Sequence, residues 1–402
     1  MSGTLTPSDE AELIRAVGAA YESGTPLEVF GHGSKRGLLR PVQAAQGLSA
    51  ARLAGISLYS PHELILSAGA GTPMAEIAAA VAGRGQQITS EPPDFSAFFG
   101  GEGGQTLGGV VGANLSGPRR VAWGATRDHV LGVRAVNGRG ELVRSGGRVL
   151  KNVTGLDICK LLTGSHGTLA VLSEITLKVL PAPERAGSVA VVGLAPAPGV
   201  AALAAALGSP YAVSGAAYLP AEAAACVPAL AGLGGAVALA RIEDFSESVT
   251  YRTEKLRGEL AGFGRTELLD DAATRAAWAA VRDAMPLHGE VEGIWRVSVR
   301  PSAGPGVAEA VARAFSARWF LDWGGGLVWI AGPATEAAHD AVTAAALAAG
   351  GTWTLFRAPD ALRASVAVIP PEPAALARIT ASVKAAFDPK GILNPGRMYA
   401  GV

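Results

Sequence analysis

The stretch from Gly103 to Leu180 limits what this chain can fold into more than any other part of it. It opens G-G-Q-T-L-G-G-V-V-G-A-N-L-S-G-P-R-R-V-A-W-G-A-T-R-D and later runs L-T-G-S-H-G-T-L-A-V-L-S-E-I-T-L-K-V-L-P. Glycine has no Cβ, so it takes positive φ cheaply and lets a backbone come close to a neighbour. Between these glycines stand Thr106, Asn114, Ser116 and Thr168, small polar side chains able to donate to a ligand's oxygens. The apolar residues between them alternate as strands do. The pattern predicts an extended ligand lying along backbone amides rather than a charged pocket.

Other glycine motifs fit less well. A dinucleotide fingerprint needs G-x-G-x-x-G directly after a strand and opening a helix. Gly104, Gly108, Gly109 and Gly112 lack that spacing, and Phe95–Phe99 before them makes a poor central strand. No G-K-[ST] occurs, which removes a P-loop. Tight turns between strands would explain any one of the glycines, but not the whole set.

At 402 residues the chain has room for two or three domains with substantial cores. Apolar residues are 49% and charged ones 17%, the balance of a globular protein. Lys plus Arg equals Asp plus Glu at 34 each, with no long basic block, so no nucleic-acid partner is expected. Cys159 and Cys226 form no C-x-x-C pair; they are expected to be buried small hydrophobes and cannot ligate an iron–sulfur cluster unaided. The first ten residues lack the basic and apolar segments of a signal peptide, and the Ala-rich runs are broken too early to span a membrane. A cytoplasmic protein is expected, at most peripheral at the inner face of a membrane through its partners.

In chain order, a helix is predicted to open at Pro7–Glu10 with Ser8 as its cap. Leu27–Phe30 reads as a strand leading into Gly31-His-Gly-Ser-Lys-Arg-Gly37, a glycine loop whose exposed amides and Ser34 could nest a pyrophosphate. Ile56–Met74 reads as two strands and a helix capped by Thr72, and Gln86–Pro93 as extended chain. Val130–Arg144 reads as a hairpin turning at Asn137-Gly138, and Ile175, Leu177 and Val179 alternate on a strand stopped by Pro181.

Taken together, F-G-H-G-S-K (Phe30–Lys35), T-L-G-G (Thr106–Gly109), N-L-S-G-P (Asn114–Pro118), W-G-A-T-R-D (Trp123–Asp128), K-N-V-T-G-L-D (Lys151–Asp157) and G-S-H-G-T-L (Gly164–Leu169) occur in a telling order. The N-terminal part resembles the FAD-binding domain of the vanillyl-alcohol oxidase and p-cresol methylhydroxylase flavoproteins. F-D-P-K-G-I-L-N-P-G-R at Phe387–Arg397 resembles the tail of their 2-hydroxy-acid branch. The phrases G-P-R-R at Gly117–Arg120 and I-W-R-V-S-V at Ile294–Val299 are similar to those of FAD-binding subunits of bacterial glycolate oxidase complexes.

The resemblance implies that Gly31, His32, Gly33, Ser34 and Lys35 cradle the FAD pyrophosphate. Thr106, Gly108, Gly109, Asn114, Ser116 and Gly117 would line the isoalloxazine and ribityl chain, with Pro92, Gly104, Gly124, Asp157, Gly167, Thr168 and Leu169 also beside the cofactor. Asn394 would reach back from the C-terminal tail. Many relatives attach FAD to a histidine after two glycines; here Gly33 holds that place and His32 falls one place early, so noncovalent FAD is expected.

Relatives acting on 2-hydroxy acids carry a metal-binding histidine pair and a G-D-G-N type stretch in the second domain, which this chain lacks. They also place an arginine three residues after a tryptophan like Trp295, where this chain has Ser298. No metal is therefore expected, and His288, Arg296 and Arg300 are the remaining catalytic candidates. Val189–Leu194, Ala236–Glu243, Trp295–Arg300, Gly326–Ala331 and Gly351–Phe356 read as strands, Pro373–Phe387 as a helix returning toward the FAD domain, and Trp295, Trp319, Trp323, Trp329 and Trp353 as core or interface.

The expected fold is α+β: a two-subdomain FAD-binding domain over residues 1–182, then an α+β cap over 183–402 whose tail, from about 385, returns to the FAD domain. Two functions follow from the resemblance. One is an FAD-binding subunit that oxidises glycolate to glyoxylate together with a catalytic flavoprotein subunit and an iron–sulfur subunit. The other is a self-sufficient FAD-dependent dehydrogenase for a 2-hydroxy acid such as D-lactate.

Overall fold

The computed structural model describes residues 2–100, 103–147, 155–289 and 292–401. Lys151–Thr154 of the K-N-V-T-G-L-D motif, and Glu290 beside His288, lie outside the described residues. Internal contacts divide the chain into two units, one of Met1–Ser116, Gly124–Ala182 and Pro371–Val402, the other of Gly117–Trp123 and Pro183–Pro370.

The first unit begins with a strand at Ser2–Leu5 and a helix at Glu10–Ser23. Asp9, not Ser8, caps that helix by accepting the Glu12 amide at 2.7 Å. A carboxylate at the cap also meets the positive end of the helix dipole, and Ser8 one place earlier turns its own amide and hydroxyl to the Glu12 carboxylate. Leu13, Val17 and Ala20 recur every three or four residues and make the buried face. They pack on Leu27 and Leu48 of a three-stranded parallel sheet and on Ile392 and Leu393 of the tail. Burying each large aliphatic side chain stabilises by roughly 1.5–3 kcal/mol.

A five-stranded antiparallel sheet follows, ordered Ile56–Ser60, Ile65–Gly69, Ala170–Lys178, Val130–Asn137 and Leu142–Gly146. Its hairpin turns through 138–141 rather than in two residues, because the Asn137 Oδ1 accepts the amides of Arg139 and Glu141 at 2.9 and 3.0 Å. Leu107–Gly112, inside the stretch expected to alternate as strands, is a helix that buries Leu107, Val110 and Val111 and is capped by Thr106, whose Oγ1 accepts the Gly109 amide at 3.2 Å. Thr72 caps nothing: its hydroxyl donates to the Gly69 carbonyl at 2.7 Å, and Pro73 stands before the helix Met74–Ala82. Phe95–Phe99, weak as a strand, contains the short helix Ser96–Phe99.

The C-terminal helix Ala374–Phe387 and the tail after it belong to this unit. Lys384 and Asp388, one helical turn apart, form an ion pair at 2.7 Å in which the carboxylate is fully enclosed. Lys384 also donates to the carbonyls of Thr168 at 2.6 Å and Leu393 at 3.0 Å. Asp388 accepts the Ile392 and Leu393 amides at 3.0 and 2.8 Å, so every charge in this buried cluster has partners. Leu393 then runs parallel beside Leu27 at the edge of the three-stranded sheet.

The second unit is built on an eight-stranded antiparallel sheet. Its order is Arg265–Leu269, Arg185–Val192, Val237–Asp244, Val213–Leu219, Arg318–Asp322, Leu327–Gly332, Gly293–Ser298 and Thr352–Arg357. Val213–Leu219 is buried at every position, so it lacks the alternation that marks a strand in sequence, and its alanines favour a helical reading. Trp295, Trp329 and Trp353 are buried in this unit. Cys159 is buried as expected, whereas Cys226 is exposed just past the short helix Ala221–Ala225, its thiol on the Glu222 carbonyl at 3.3 Å. Together the two units give an α+β fold. Among the described residues no helix is long and apolar enough to cross a membrane.

Candidate functional site

The first unit holds a cavity of about 110 Å³ between the 31–35 loop, the start of the helix Leu107–Gly112, the 165–167 turn and the C-terminal tail. Gly31 is where the loop passes closest: a Cβ there would lie 2.3 Å from the Thr106 Oγ1. Gly33 turns the loop at φ +82°, a left-handed conformation that side chains with a Cβ adopt at a cost. Ser34 and Lys35 follow on the cavity wall, with Thr106, Gly108 and Gly109 opposite.

Lys35 shares the lining of this cavity with the charged residues Glu28, Arg36 and Arg397. Its ammonium lies 3.3 Å from the Ser34 hydroxyl and 3.3 Å from the Gln105 side-chain oxygen. Burial draws it down to about 8, against a smaller opposite pull from Asp94. A desolvated cation among glycine backbone is a donor set suited to a diphosphate, and the small residues Ala50, Ala70 and Ala113 leave room for flat rings. His32 is committed elsewhere: its Nδ1 lies 2.8 Å from the Gly103 carbonyl and 3.3 Å from that of Gly104. A carbonyl can only accept, so Nδ1 carries the proton.

Gly167 and Asn394 line the same cavity. Two further residues there were not singled out from sequence, although both stand inside motifs that were. His166 faces the cavity at φ 52°, and burial, helped by the nearby Arg397 charge, lowers it to about 3, so the ring is neutral. Arg397 donates to the carbonyls of Lys35 at 2.7 Å and Arg36 at 3.1 Å, which pins the loop from behind. Their side-chain roles depend on chain segments more than 200 residues apart, and nothing local signals them.

The remaining expected cofactor residues lie elsewhere. Thr168 and Leu169 line a second, larger opening in the same unit, with Ile379 and Lys384. Asn114 accepts the Arg127 amide at 3.0 Å, Ser116 accepts the Thr126 amide at 2.9 Å, and Asp157 caps the short helix Ile158–Leu162. Gly124 turns at φ +84°, and Pro92 precedes the carbonyl of Pro93 that holds Gln105. Gly117 falls in the second unit, where its carbonyl accepts the Trp323 indole N–H at 3.2 Å.

The second unit contains the three catalytic candidates. The His288 Nε2 lies 3.1 Å from the Asp283 carbonyl, and Arg300 is exposed before a short 3-10 turn. Arg296 sits inside the sheet with its guanidinium 5.0 Å from the Trp329 ring, 5.7 Å from Trp323 and 5.8 Å from Phe356. Nearby, Arg119 forks onto Glu243 at 2.6 and 3.0 Å while Arg241 reaches the same carboxylate at 3.2 Å. Burial alone would raise the Glu243 carboxyl, but the charge of Arg241 and the Arg119 fork outweigh it and hold it at about 2. Among the described residues no three His, Cys, Asp or Glu side chains gather to hold a metal.

Residues 1–146 match the family model described as an FAD binding domain. The chain is 35% identical over 391 residues to the glycolate oxidase subunit GlcE of Escherichia coli, covering 96% of this chain and 97% of that protein. It is 34% identical over 177 residues to an uncharacterized FAD-linked oxidoreductase of Mycobacterium tuberculosis, covering 44% of this chain and 36% of the other. Among solved structures it is similar to 4-ethylphenol oxidase from Gulosibacter chungangensis, with a TM-score of 0.72 at 15% identity over 99% of this chain and 89% of that one. It is likewise similar to alkyldihydroxyacetonephosphate synthase, with a TM-score of 0.69 at 15% identity over 97% of this chain and 76% of that one. These last two likenesses speak for the fold alone.

The FAD binding domain match over residues 1–146 and the likeness to GlcE along nearly the whole chain place it among FAD-linked oxidoreductases. Within that class, the chain belongs to the family of the glycolate oxidase subunit GlcE.

Proposed function

We propose that this chain is the FAD-bearing subunit of a complex that oxidises glycolate, a 2-hydroxy acid, to glyoxylate, and that it holds its FAD noncovalently. The observation that carries the reading is the likeness to GlcE along nearly the whole chain, 35% over 391 residues. The cavity of the first unit supports it, with Lys35 and the amides of Gly31–Ser34 for the diphosphate and Thr106, Gly108, Gly109 and Gly167 along the rest of the cofactor. FAD supplies a two-electron acceptor that a hydroxy acid's hydride can reduce. The chain's own part is to bind and orient that cofactor and to screen it from water.

Noncovalent attachment is supported by Gly33 in the place of the linking histidine and by His32 spending its Nδ1 proton on the Gly103 carbonyl. A need for partners is supported by Ser298 in place of the arginine of self-sufficient relatives and by the chain's two isolated cysteines, too few for a cluster that would pass electrons on. Those partners would be a second flavoprotein subunit and an iron–sulfur subunit. The complex would sit on the cytoplasmic side, at most peripheral to a membrane.

The test is made on the purified yellow chain. Acid precipitation is expected to leave the flavin in the supernatant, and anaerobic glycolate or D-lactate is expected to leave the flavin oxidised until partner subunits are added. Rapid bleaching of the lone chain by either acid would instead establish a self-sufficient dehydrogenase.

A further inference from the structure

A helix in a folded unit turns its large apolar side chains inward and its charges outward. Ala374–Phe387 does the reverse: its one buried residue is Lys384, while Leu376 is 47% and Ile379 61% exposed. Ile379 and Val383 line the larger opening of the first unit, a groove of about 700 Å³, together with Leu169, Met398 and the 38% exposed Leu161. Exposed apolar side chains gathered along a concave surface mark a place where something docks.

The polar side chains of the groove are spent within the chain. The hydroxyls of Thr163, Ser165 and Thr168 donate to the carbonyls of Cys159, Leu162 and Ser165 at 2.7, 2.8 and 2.7 Å. Lys160 donates to the carbonyls of Arg127 and Val130, Lys384 is paired with Asp388, and Thr380 and Tyr399 both donate to Glu372. An apolar occupant therefore leaves these groups their hydrogen bonds, whereas a ligand rich in polar atoms finds few partners. Arg127 differs. It is exposed at the groove, and its guanidinium has no acceptor among the described residues.

We propose that this groove receives an apolar segment of a partner protein, carrying a carboxylate that meets Arg127, and that the partner is another subunit of the oxidising assembly. A concave site suits an inserted segment. A membrane would instead be met by a helix whose apolar face protrudes into the lipid. Charge argues against a second copy of this chain: the helix Ala374–Phe387 carries Arg378 and Lys384 and no acid, and Arg127 and Lys160 line the same groove. Two such faces would meet with like charges, whereas an acidic partner is complementary. The proposal rests on the assembly reading only for which protein is bound.

The test measures binding of the purified, FAD-loaded chain to the flavoprotein and iron–sulfur subunits of the assembly by biolayer interferometry, at low and high salt. Ile379→Glu changes an exposed position, so it should keep the urea midpoint and flavin content of the native chain, yet bind at least about tenfold more weakly. Arg127→Glu should weaken binding by at least about tenfold at low salt and by less at high salt. Phe245→Glu, at an exposed aromatic position of the second unit, should bind as the native chain does. Unchanged binding in both groove variants, or an equal loss in Phe245→Glu, would overturn the groove and leave the assembly standing. A native chain that binds neither subunit would overturn the assembly reading and this occupant with it. Light scattering and flotation with phosphatidylglycerol vesicles complete the comparison. A dimer or a vesicle-bound form that Ile379→Glu abolishes would assign the groove to a second copy or to a membrane instead.

Discussion

The Asn394 side-chain amide donates to the His166 carbonyl at 2.7 Å while its Oδ1 accepts the Val29 amide at 2.7 Å. One buried residue from the end of the chain thus joins the strand that leads into the 31–35 loop to the turn on the opposite side of the cavity. Asn394 also stands at φ 43°, a left-handed conformation that asparagine tolerates better than most residues.

Replacing Asn394 should therefore loosen the cavity from two sides at once. Asn394→Ala leaves the Val29 amide and the His166 carbonyl without partners, a loss of about 2–4 kcal/mol in urea unfolding. Asn394→Asp keeps the acceptor for Val29 but places a carboxylate against the carbonyls of His166 and Val29. It should retain less flavin after gel filtration than the native chain. Full flavin content in both variants would remove Asn394 from any role in shaping the site.

Flavin affinity should depend on pH through Lys35. In the folded, flavin-free chain its ammonium titrates near 8, down from 10.5, so between those values the unfolded chain holds the proton and the folded one does not. Without cofactor, the Lys35 contribution makes the fold more stable as pH rises from 8 toward 10.5. A bound diphosphate favours the ammonium and raises its pKa again. Affinity for FAD should thus be flat below pH 8 and fall above it, by up to about tenfold per pH unit. The dissociation constant measured by flavin fluorescence from neutral to alkaline pH checks this, and Lys35→Met should abolish the slope.

Gly33→Val tests the turn of the same loop. The nearest atom to a Cβ there is the Cδ of Arg36 at 3.3 Å, the end of a flexible side chain, so space is not the obstacle. The obstacle is φ +82°, which a β-branched residue adopts only with strain. The expected result is a folded chain with lower flavin content, and Gly33→Ala should lie between it and the native chain.

What could be read in the sequence divides along physical lines. Glycine loops carry local information, since Gly31 and Gly33 are needed where a backbone passes close or turns left-handed, and that need is visible without a partner. The helix Leu107–Gly112 was hidden because glycine and valine are poor helix formers, although Leu107, Val110 and Val111 stand at helical spacing and the Thr106 hydroxyl caps it on the Gly109 amide. The strand Val213–Leu219 was hidden because both of its faces are buried. Arg296 was visible as a basic residue beside Trp295, but Trp323 and Phe356, two of the rings its guanidinium lies over, come from segments 27 and 60 residues later in the chain. Pairings over such distances are set by topology, and no local pattern announces them.

The Arg119–Glu243–Arg241 cluster should set the acid limit of the second unit. Ser214 completes it, donating to the same Glu243 oxygen at 2.7 Å that Arg119 and Arg241 contact. The carboxyl is held at about 2 in the fold against an ordinary 4.5, so its contribution is complete above pH 4.5 and is lost as pH falls from there toward 2. A shift of that size corresponds to about 3 kcal/mol. Glu243→Gln removes the charge between two buried arginines and should cost about 3–5 kcal/mol at neutral pH. It should also flatten the decline in stability expected of the native chain as pH falls from 4.5 toward 2. Urea unfolding across that pH range measures both effects. An unchanged acid profile in Glu243→Gln would mean that other carboxylates govern the limit and that this cluster contributes little beyond packing.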